Sequence, residues 1–170
     1  MIADRWGVTD AEVARRYPCD DLVPEPAGQF WRGVSVAAAP EHIWPWLTQI
    51  RVAPYSYDWL DNRGRRSPQV LLGLPNPVVG ENFSTAGGRR LGRILSVEPG
   101  RHVTGRILGA VMSYVLEPDS GGTRLLLKIA VPAARFTGPV VPLLSVGDLV
   151  MARRQLLNLK RLAERAEVRS

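Results

Sequence analysis

The sequence predicts an α+β fold in which a curved antiparallel β-sheet wraps around a long C-terminal α-helix, with two short helices after the first strand. Three observations support this prediction: a strand pattern followed by two short helical patterns, a series of short strand patterns separated by turn residues, and a long terminal helical periodicity. With 170 residues and a hydrophobic fraction of 45%, the chain is long enough to enclose one sizeable core.

The N-terminal region is expected to be a leader, residues 1–29, that packs on a single domain formed by residues 30–170. Thr9 and Glu12 have the spacing of a capping box, which predicts that a short helix begins after Thr9. Residues 20–29 contain two prolines and are predicted to form an extended arm on the outside of the domain.

The first strand and the two short helices are predicted from the next part of the chain. Residues 30–38 alternate in a way that is typical of a strand, and Pro40 suits the first turn of a following helix. The apolar face of that helix recurs at helical spacing, at Ile43, Trp46, Leu47 and Ile50. A second short helix is predicted at residues 57–62, with Ser56 as its cap and Gly64 as its stop.

The remaining elements are an antiparallel meander and the terminal helix. Turn residues separate five strand runs, at residues 82–86, 91–97, 102–107, 111–116 and 123–131. After a proline-rich link, residues 146–167 carry apolar residues at three- and four-residue steps, which predicts the long helix. A sheet that curves around this helix would leave an apolar cavity between them, with Met112, Tyr114 and Leu116 on its inner face.

Several segments of the chain have a recognisable pattern. Residues 34–47 read VSVAAAPEHIWPWL and residues 55–62 read YSYDWLDN; shorter pieces lie at residues 6–9, 116–118, 121–125 and 151–164. In this order they resemble the START/polyketide-cyclase superfamily, also called SRPBCC. The resemblance implies a helix-grip fold, in which the sheet encloses a hydrophobic ligand cavity. The superfamily includes lipid carriers, hormone binders and cyclases, so the resemblance alone does not assign a chemistry.

Residues 55–59 are the most informative candidate site, because two phenols, an indole and a carboxylate occur close together. Tyr55, Tyr57 and Trp59 could line a ligand pocket, and Asp58 could act as an acid or base if burial raised its pKa. The alternative, which the sequence favours, is that Tyr57 and Trp59 pack in the core while Asp58 and Asp61 hold loop backbone. With the predicted cavity lining, the candidate ligand-binding residues are Trp46, Tyr55, Tyr57, Trp59, Met112, Tyr114, Leu116, Leu149 and Leu156.

His102 and Arg106 are the other two catalytic candidates. Together with Thr104 they share one face of a predicted strand, and they could polarise a carbonyl ligand if that face pointed inward. The outward orientation is favoured, because the alternate residues, Val103 and Ile107, are more apolar.

The charge and the cysteine content argue against several other functions. The net charge is +6, but 20 of the 22 basic residues are arginine, a ratio that indicates coding bias, and no nucleic-acid-binding signature occurs. Two widely spaced histidines and one cysteine supply no zinc-type ligand set, and phosphate-binding and dinucleotide-binding loops are absent, so neither a metal nor a cofactor is expected. A single cysteine and the lack of a secretory signal predict a cytoplasmic protein without stable membrane insertion, although the charge is compatible with weak contact to anionic surfaces.

Two functions of different classes remain, with a third behind them. The first is non-catalytic binding or carriage of a small hydrophobic molecule, such as a lipid, a polyketide or an aromatic metabolite, in the internal cavity. The second is a cyclase or dehydratase that folds a polyketide-like substrate in the same cavity. The third is a membrane-surface or partner-binding module formed by the basic terminal helix and residues 139–150. The sequence does not predict an oligomeric state.

Overall fold

The structure is a computed structural model that describes residues 4–133 and 140–167, without the side chains of residues 60, 61, 140–150 and 167. It has the predicted α+β class, because a curved six-stranded sheet is combined with a long C-terminal helix and several short helices. The fold prediction is therefore confirmed. Within the described residues, no helix is both long and apolar enough to cross a lipid bilayer.

The elements alternate between strands and short helices in the first half of the chain. They are β1 (Arg5–Trp6), α1 (Asp10–Ala14), α2 (Pro18–Leu22), β2 (Pro26–Val36), α3 (Pro40–Thr48), a 3₁₀ turn (Gln49–Arg51) and α4 (Asp58–Asp61). The second half contributes the other strands and the long helix. They are β3 (Ser84–Ala86), β4 (Arg89–Leu91), β5 (Arg93–Glu98), β6 (His102–Ile107), β7 (Ala110–Asp119), β8 (Gly122–Pro132) and α5 (Val140–Glu167).

The main sheet has the strand order β1-β2-β8-β7-β6-β5, and its strands are antiparallel except that β1 runs parallel to β2. The predicted meander is confirmed for β5 to β8, whereas β3 and β4 form a separate hairpin. The prediction of one strand at residues 91–97 is wrong, because Gly92 separates β4 from β5. Gly92 has a φ of 70°, and a Cβ atom there would lie 2.1 Å from the Arg106 carbonyl oxygen.

The two N-terminal helices form where capping groups are present. Thr9 Oγ accepts a hydrogen bond from the Glu12 N–H, and the Glu12 carboxylate accepts one from the Thr9 N–H, so the predicted capping box is confirmed. The predicted extended arm is wrong in its first part, which belongs to α2. Pro18 occupies the first turn of α2, and the Asp20 carboxylate accepts from the Tyr17 N–H; both stabilise a helical turn.

Residues 10–23, which we call the N-terminal cover, lie on one face of the sheet. Their buried side chains Tyr17, Cys19 and Val23 pack against residues of β7 and β8, namely Val111, Val115, Leu126 and Ala130. Lys128 of β8 is also buried, and its ammonium group pairs with Asp20 of the cover. The cover is therefore attached to the sheet by both apolar and charged contacts.

The opposite face of the sheet carries the main core together with α3 and α5. Four leucines in this layer have no exposed surface: Leu125, Leu127, Leu156 and Leu159. Since no water molecule could reach these side chains, their neighbours fill the middle of the layer, and the apolar cavity predicted between the sheet and the terminal helix is not present around these leucines.

The second short helix differs from its prediction at its beginning. Ser56 does not cap α4, because Tyr57 occupies the N-cap position and makes no side-chain capping hydrogen bond. The predicted stop at Gly64 is confirmed: this residue has a φ of 78°, and its N–H donates to the Asp58 carbonyl at 2.9 Å.

Two other predicted boundaries are wrong. β2 begins at Pro26 rather than at residue 30, because its pairing with β8 continues to the register of Pro26 with Pro132. α5 begins at Val140 rather than at residue 146, since a proline in the first turn is compatible with a helix. The division into a leader of residues 1–29 and a domain of residues 30–170 stays a prediction.

Candidate functional site

A pocket of about 400 Å³ lies between residues 55–69 and the C-terminal half of α5. We call it the arginine pocket. It is lined by Tyr55, Ser56, Tyr57, Asp58, Trp59, Gly64, Arg66, Ser67 and Gln69, and from α5 by Arg154, Asn158 and Arg161. The structure therefore brings together four of the predicted site residues: Tyr55, Tyr57, Asp58 and Trp59.

The backbone around Tyr55 is fixed from both sides of the pocket. Tyr55 has a φ of 55°, an uncommon conformation for a residue other than glycine. Its N–H donates to Ser67 Oγ at 3.2 Å, and its carbonyl accepts from Asn158 Nδ2 at 2.9 Å. Its hydroxyl donates to the Pro68 carbonyl and accepts from Gln49, and burial raises the pKa of the phenol. Tyr55 is therefore a neutral, hydrogen-bonded part of the pocket wall.

Asp58 uses both of its carboxylate oxygens on Ser67. Oδ2 accepts from the Ser67 N–H at 2.8 Å, and Oδ1 accepts from the Ser67 hydroxyl at 2.5 Å. Asp58 thus holds a loop, in agreement with the alternative that the sequence favoured. The other half of that alternative is wrong, because Tyr57 is only half-buried and Trp59 is 73% exposed, so neither packs in the core.

Three guanidinium groups give the pocket its charge. Arg154 lies over the Tyr57 ring, 5.8 Å from its centroid. Burial, and then the charges of Arg165, Arg154 and Arg66 in that order, lower the pKa of Arg161, so the positive charges at and beside the pocket repel one another. Asp58 is the only carboxylate among the described lining residues, and its oxygens are already engaged. An anionic group in the pocket would relieve this repulsion and could accept paired hydrogen bonds.

Sequence reasoning missed all three arginines of the pocket. One signal was available on α5, where Arg154, Asn158 and Arg161 are spaced at i, i+4 and i+7 and so share one helix face. Nothing local, however, indicated that residues 55–69 pack against that face.

Apart from Leu149, the other predicted ligand-binding residues lie in or beside the core between the sheet and the helices. Four of them are at most 4% exposed: Trp46, Tyr114, Leu116 and Leu156. A ligand would have to displace their present neighbours, so their contact with a ligand stays a prediction. Trp46 Nε1 is buried and has no hydrogen-bond partner among the described residues. Met112 is half-buried, and the side chain of Leu149 lies outside the described residues.

His102 and Arg106 lie on the sheet face that the N-terminal cover occupies. Their β7 partners, Val115 and Val111, belong to the cluster beneath the cover, so this face points away from the main core as the sequence favoured. The expectation that its residues are solvated holds for Arg106 but not for Thr104, which has no exposed surface. Arg106 is exposed, whereas His102 is half-buried and lines a second pocket of about 480 Å³. Burial lowers the pKa of His102, against the opposing effect of Glu98.

The charges that line the second pocket neutralise one another. They form three ion pairs: Arg15 with Glu117, Arg16 with Asp21, and Arg101 with Glu98. The catalytic candidates therefore do not converge, because Asp58 lines one pocket, His102 another, and Arg106 lies at the surface. In the part of the chain that the structure describes, no three His, Cys, Asp or Glu side chains cluster in a way that could hold a metal ion.

Comparisons with known proteins identify the fold of this chain. No protein-family model matches it, and no curated protein is significantly similar to it in sequence. Among solved structures, MLL2253 from Mesorhizobium loti is 19% identical, with a TM-score of 0.54 over 81% of this chain and 97% of that protein. The AHSA1-like protein from Aeromonas hydrophila is 17% identical, with a TM-score of 0.53 over 82% of this chain and 94% of that protein.

A third similar structure is that of a protein from a biosynthetic locus. DynU16, a protein in the dynemicin biosynthetic locus, is 21% identical, with a TM-score of 0.50 over 80% of this chain and 47% of DynU16. This chain thus spans about half the length of that protein. At such low identities the comparisons establish the helix-grip fold and carry no information on ligand or activity.

Proposed function

We propose that the chain is a member of the SRPBCC superfamily that binds a small hydrophobic molecule with an acidic group and does not transform it. A lipid, a polyketide or an aromatic metabolite with a carboxylate or phosphate fits this description. The observation that carries the proposal is the arginine pocket, which is lined by three arginines and by one carboxylate that is already hydrogen-bonded.

The acidic group would be held by Arg66, Arg154 and Arg161. Hydrogen bonds between ionised partners are about twice as strong as neutral ones, and a planar guanidinium matches a carboxylate or a phosphate. The apolar body of the ligand would contact Trp59, which is exposed beside the pocket, and Tyr57. Removing this aromatic surface from water would stabilise the complex by about 25 cal/mol per Å².

An internal site between the sheet and the helices is the second part of the proposal. The buried Trp46 N–H would donate to a carbonyl or hydroxyl oxygen of the ligand, and Met112 would offer apolar surface. Gln155 lies between this core and the arginine pocket, because it accepts from the Tyr114 hydroxyl and donates at 2.7 Å to the carbonyl of Pro54, the residue before Tyr55. A ligand with a long apolar body would reach this site beyond Gln155 by displacing side chains that now fill the core.

The positions of the catalytic candidates support a binder rather than a cyclase or dehydratase. Such an enzyme needs a proton-transfer group within hydrogen-bond reach of the reacting atoms. Asp58 is engaged by Ser67, while His102 and Arg106 lie on the other face of the sheet. The third hypothesis, a membrane-surface or partner-binding module, depends on residues 139–150. Their side chains are outside the described residues, so this hypothesis stays a prediction.

Two fluorescent probes of similar shape test the proposal. Anilinonaphthalene sulfonate carries an acidic group, and phenylnaphthylamine is its uncharged counterpart. We expect Arg154→Gln and Arg161→Gln each to weaken sulfonate binding about ten-fold, because each removes a charge-assisted hydrogen bond. The uncharged probe should bind these variants and the unmodified protein equally. Fluorescence titrations measure both affinities.

Arg153→Gln is the matched control for this experiment. Arg153 neighbours Arg154 on α5, but its guanidinium lies over the Trp6 ring, 5.0 Å from the centroid, and does not line the pocket. Equal sulfonate affinities in all three variants would contradict the proposal, because the acidic group would then be bound elsewhere.

A further inference from the structure

Residues 70–79, which we call the aliphatic loop, expose many apolar side chains. The segment reads VLLGLPNPVV and contains neither helix nor strand. Six of its side chains are between 37% and 65% exposed: Val70, Leu71, Leu72, Leu74, Val78 and Val79. Single exposed apolar residues are ordinary on a protein surface, but a run of this kind marks a binding surface.

The backbone of the aliphatic loop is fixed from beneath by polar side chains of the 3₁₀ turn. Gln49 is buried; its amide nitrogen donates to the Val70 carbonyl at 3.0 Å, and its amide oxygen accepts from the Leu72 N–H at 2.9 Å. Arg51 is also buried and donates to the Pro75 carbonyl at 2.6 Å. Because these contacts hold the inner side of the loop through its backbone, the aliphatic side chains remain on its outer side.

The sequence around the aliphatic loop is strongly basic. Between Asp61 and Glu98 it contains one acidic residue, Glu81, which pairs with Arg51 at 2.8 Å. The same stretch contains six more arginines, all exposed: Arg63, Arg65, Arg66, Arg89, Arg90 and Arg93. Within the described residues, none of these six forms an ion pair.

Arginines lie at both ends of the loop in space as well as in sequence. Arg93 donates to the carbonyl of Gly80, the residue after the loop, at 3.3 Å. At the other end, Arg161 donates to Gln69 Oε1 at 3.1 Å. Exposed aliphatic side chains bordered by arginines are typical of surfaces that bind the interface of an anionic bilayer.

We propose that the aliphatic loop is a membrane-docking surface, which inserts shallowly between the headgroups of an anionic phospholipid bilayer. The aliphatic side chains leave water for the upper acyl region, and the bordering arginines bind lipid phosphates. This role does not require the ligand proposed above, with which it shares Arg161, and it is assigned to a different segment from residues 139–150.

An anionic bilayer fits the loop better than other occupants do. A nucleic acid would bind the arginines but leave the aliphatic side chains in water. A second copy of the chain would bring two basic surfaces together, and like charges repel. A bilayer that contains anionic lipid uses both the apolar and the basic side chains.

Flotation with lipid vesicles tests the proposal on the whole chain. We expect the protein to float with vesicles of phosphatidylcholine and phosphatidylglycerol, but not with phosphatidylcholine alone, and added salt should weaken the association. The variant Leu71→Ser/Leu72→Ser should bind about ten-fold more weakly, because two aliphatic side chains no longer insert. Arg93→Gln should bind about five-fold more weakly, because it removes one charge that borders the loop.

The matched control is Leu22→Ser/Leu108→Ser, which removes two exposed leucines from other parts of the surface, 41% and 82% exposed. It should float like the unmodified protein, and circular dichroism should show that every variant is folded. The proposal is overturned if the protein does not float with the mixed vesicles, or if the loop variant and the control lose binding equally. The proposal is also overturned if Leu71→Ser/Leu72→Ser weakens self-association or nucleic-acid binding and leaves flotation with the mixed vesicles unchanged.

Discussion

The N-terminal cover contains two short helices and the aliphatic loop contains neither helix nor strand; both lie at the surface, but they are attached to the protein in opposite ways. The cover buries Tyr17 and Cys19 on the sheet and keeps its polar side chains outside or paired. The loop is held through its backbone by Gln49 and Arg51, and it exposes its aliphatic side chains. A segment can therefore be ordered without burying its own apolar side chains, provided that buried polar groups satisfy its backbone. Those side chains then remain available to another surface.

The largest effect on stability is expected in the cover, from Tyr17→Ala. Tyr17 is 1% exposed, and its hydroxyl donates to the Glu12 carbonyl at 2.8 Å. The substitution should lower the free energy of unfolding by about 3–5 kcal/mol, because it leaves a cavity in place of an aromatic ring. Tyr17→Phe keeps the ring and should cost about 1 kcal/mol. Urea unfolding measures both, and similar losses for the two variants would contradict attachment by apolar burial.

The next largest effect is expected where the loop is anchored, from Gln49→Ala. The amide of Gln49 bonds the Val70 carbonyl and the Leu72 N–H, so its removal should cost about 2 kcal/mol and release the loop backbone. Hydrogen exchange at the Leu72 amide should become faster in this variant but not in Tyr17→Phe. Unchanged exchange at Leu72 would show that the loop is ordered by something other than Gln49.

The same contrast explains what the sequence could predict. The capping box of Thr9 and Glu12 was predictable because both partners lie within one helical turn, and the terminal helix because its periodicity is local. The anchoring of the loop by Gln49 joins residues far apart in the chain, as does the arginine pocket, where residues 55–69 meet α5. No local pattern encodes such contacts. The sequence shows that residues 62–97 are rich in arginine and aliphatic residues, but only the structure shows that many of these side chains are exposed.

A smaller, pH-dependent effect is expected at the edge of the cover. Burial alone would raise the pKa of Glu12, but hydrogen bonds from Arg124 and from the Thr9 N–H, with the Arg124 charge, hold it below its ordinary value. The unfolded chain therefore takes up this proton at a higher pH than the folded chain. Glu12 therefore contributes fully to the free energy of unfolding above the ordinary pKa of a glutamate, and this contribution is lost as the pH falls through the lowered pKa.

Glu12→Gln tests this dependence, because the amide does not titrate. We expect the gain in unfolding free energy between acidic and neutral pH to be smaller in this variant, by at most about 1 kcal/mol. Urea unfolding at a series of pH values measures it. Identical pH profiles for Glu12→Gln and the unmodified protein would show that the Arg124 pair does not contribute.

The smallest effect is expected from Leu71→Ser/Leu72→Ser. These side chains are 44% and 47% exposed, and Leu72 contacts Gln49 through its N–H, which serine retains. The free energy of unfolding should change by less than about 0.5 kcal/mol.

Val23→Ser is the matched control in the cover. It makes the same kind of change at a side chain that is 5% exposed, and it should lower the free energy of unfolding by about 2 kcal/mol. Equal losses at the two sites would mean that the leucines of the loop hold the fold, which would remove the reason to assign them to a membrane. We expect Leu71→Ser/Leu72→Ser to weaken vesicle flotation while the free energy of unfolding stays nearly unchanged. That result would show that these two leucines contribute to membrane binding and not to folding.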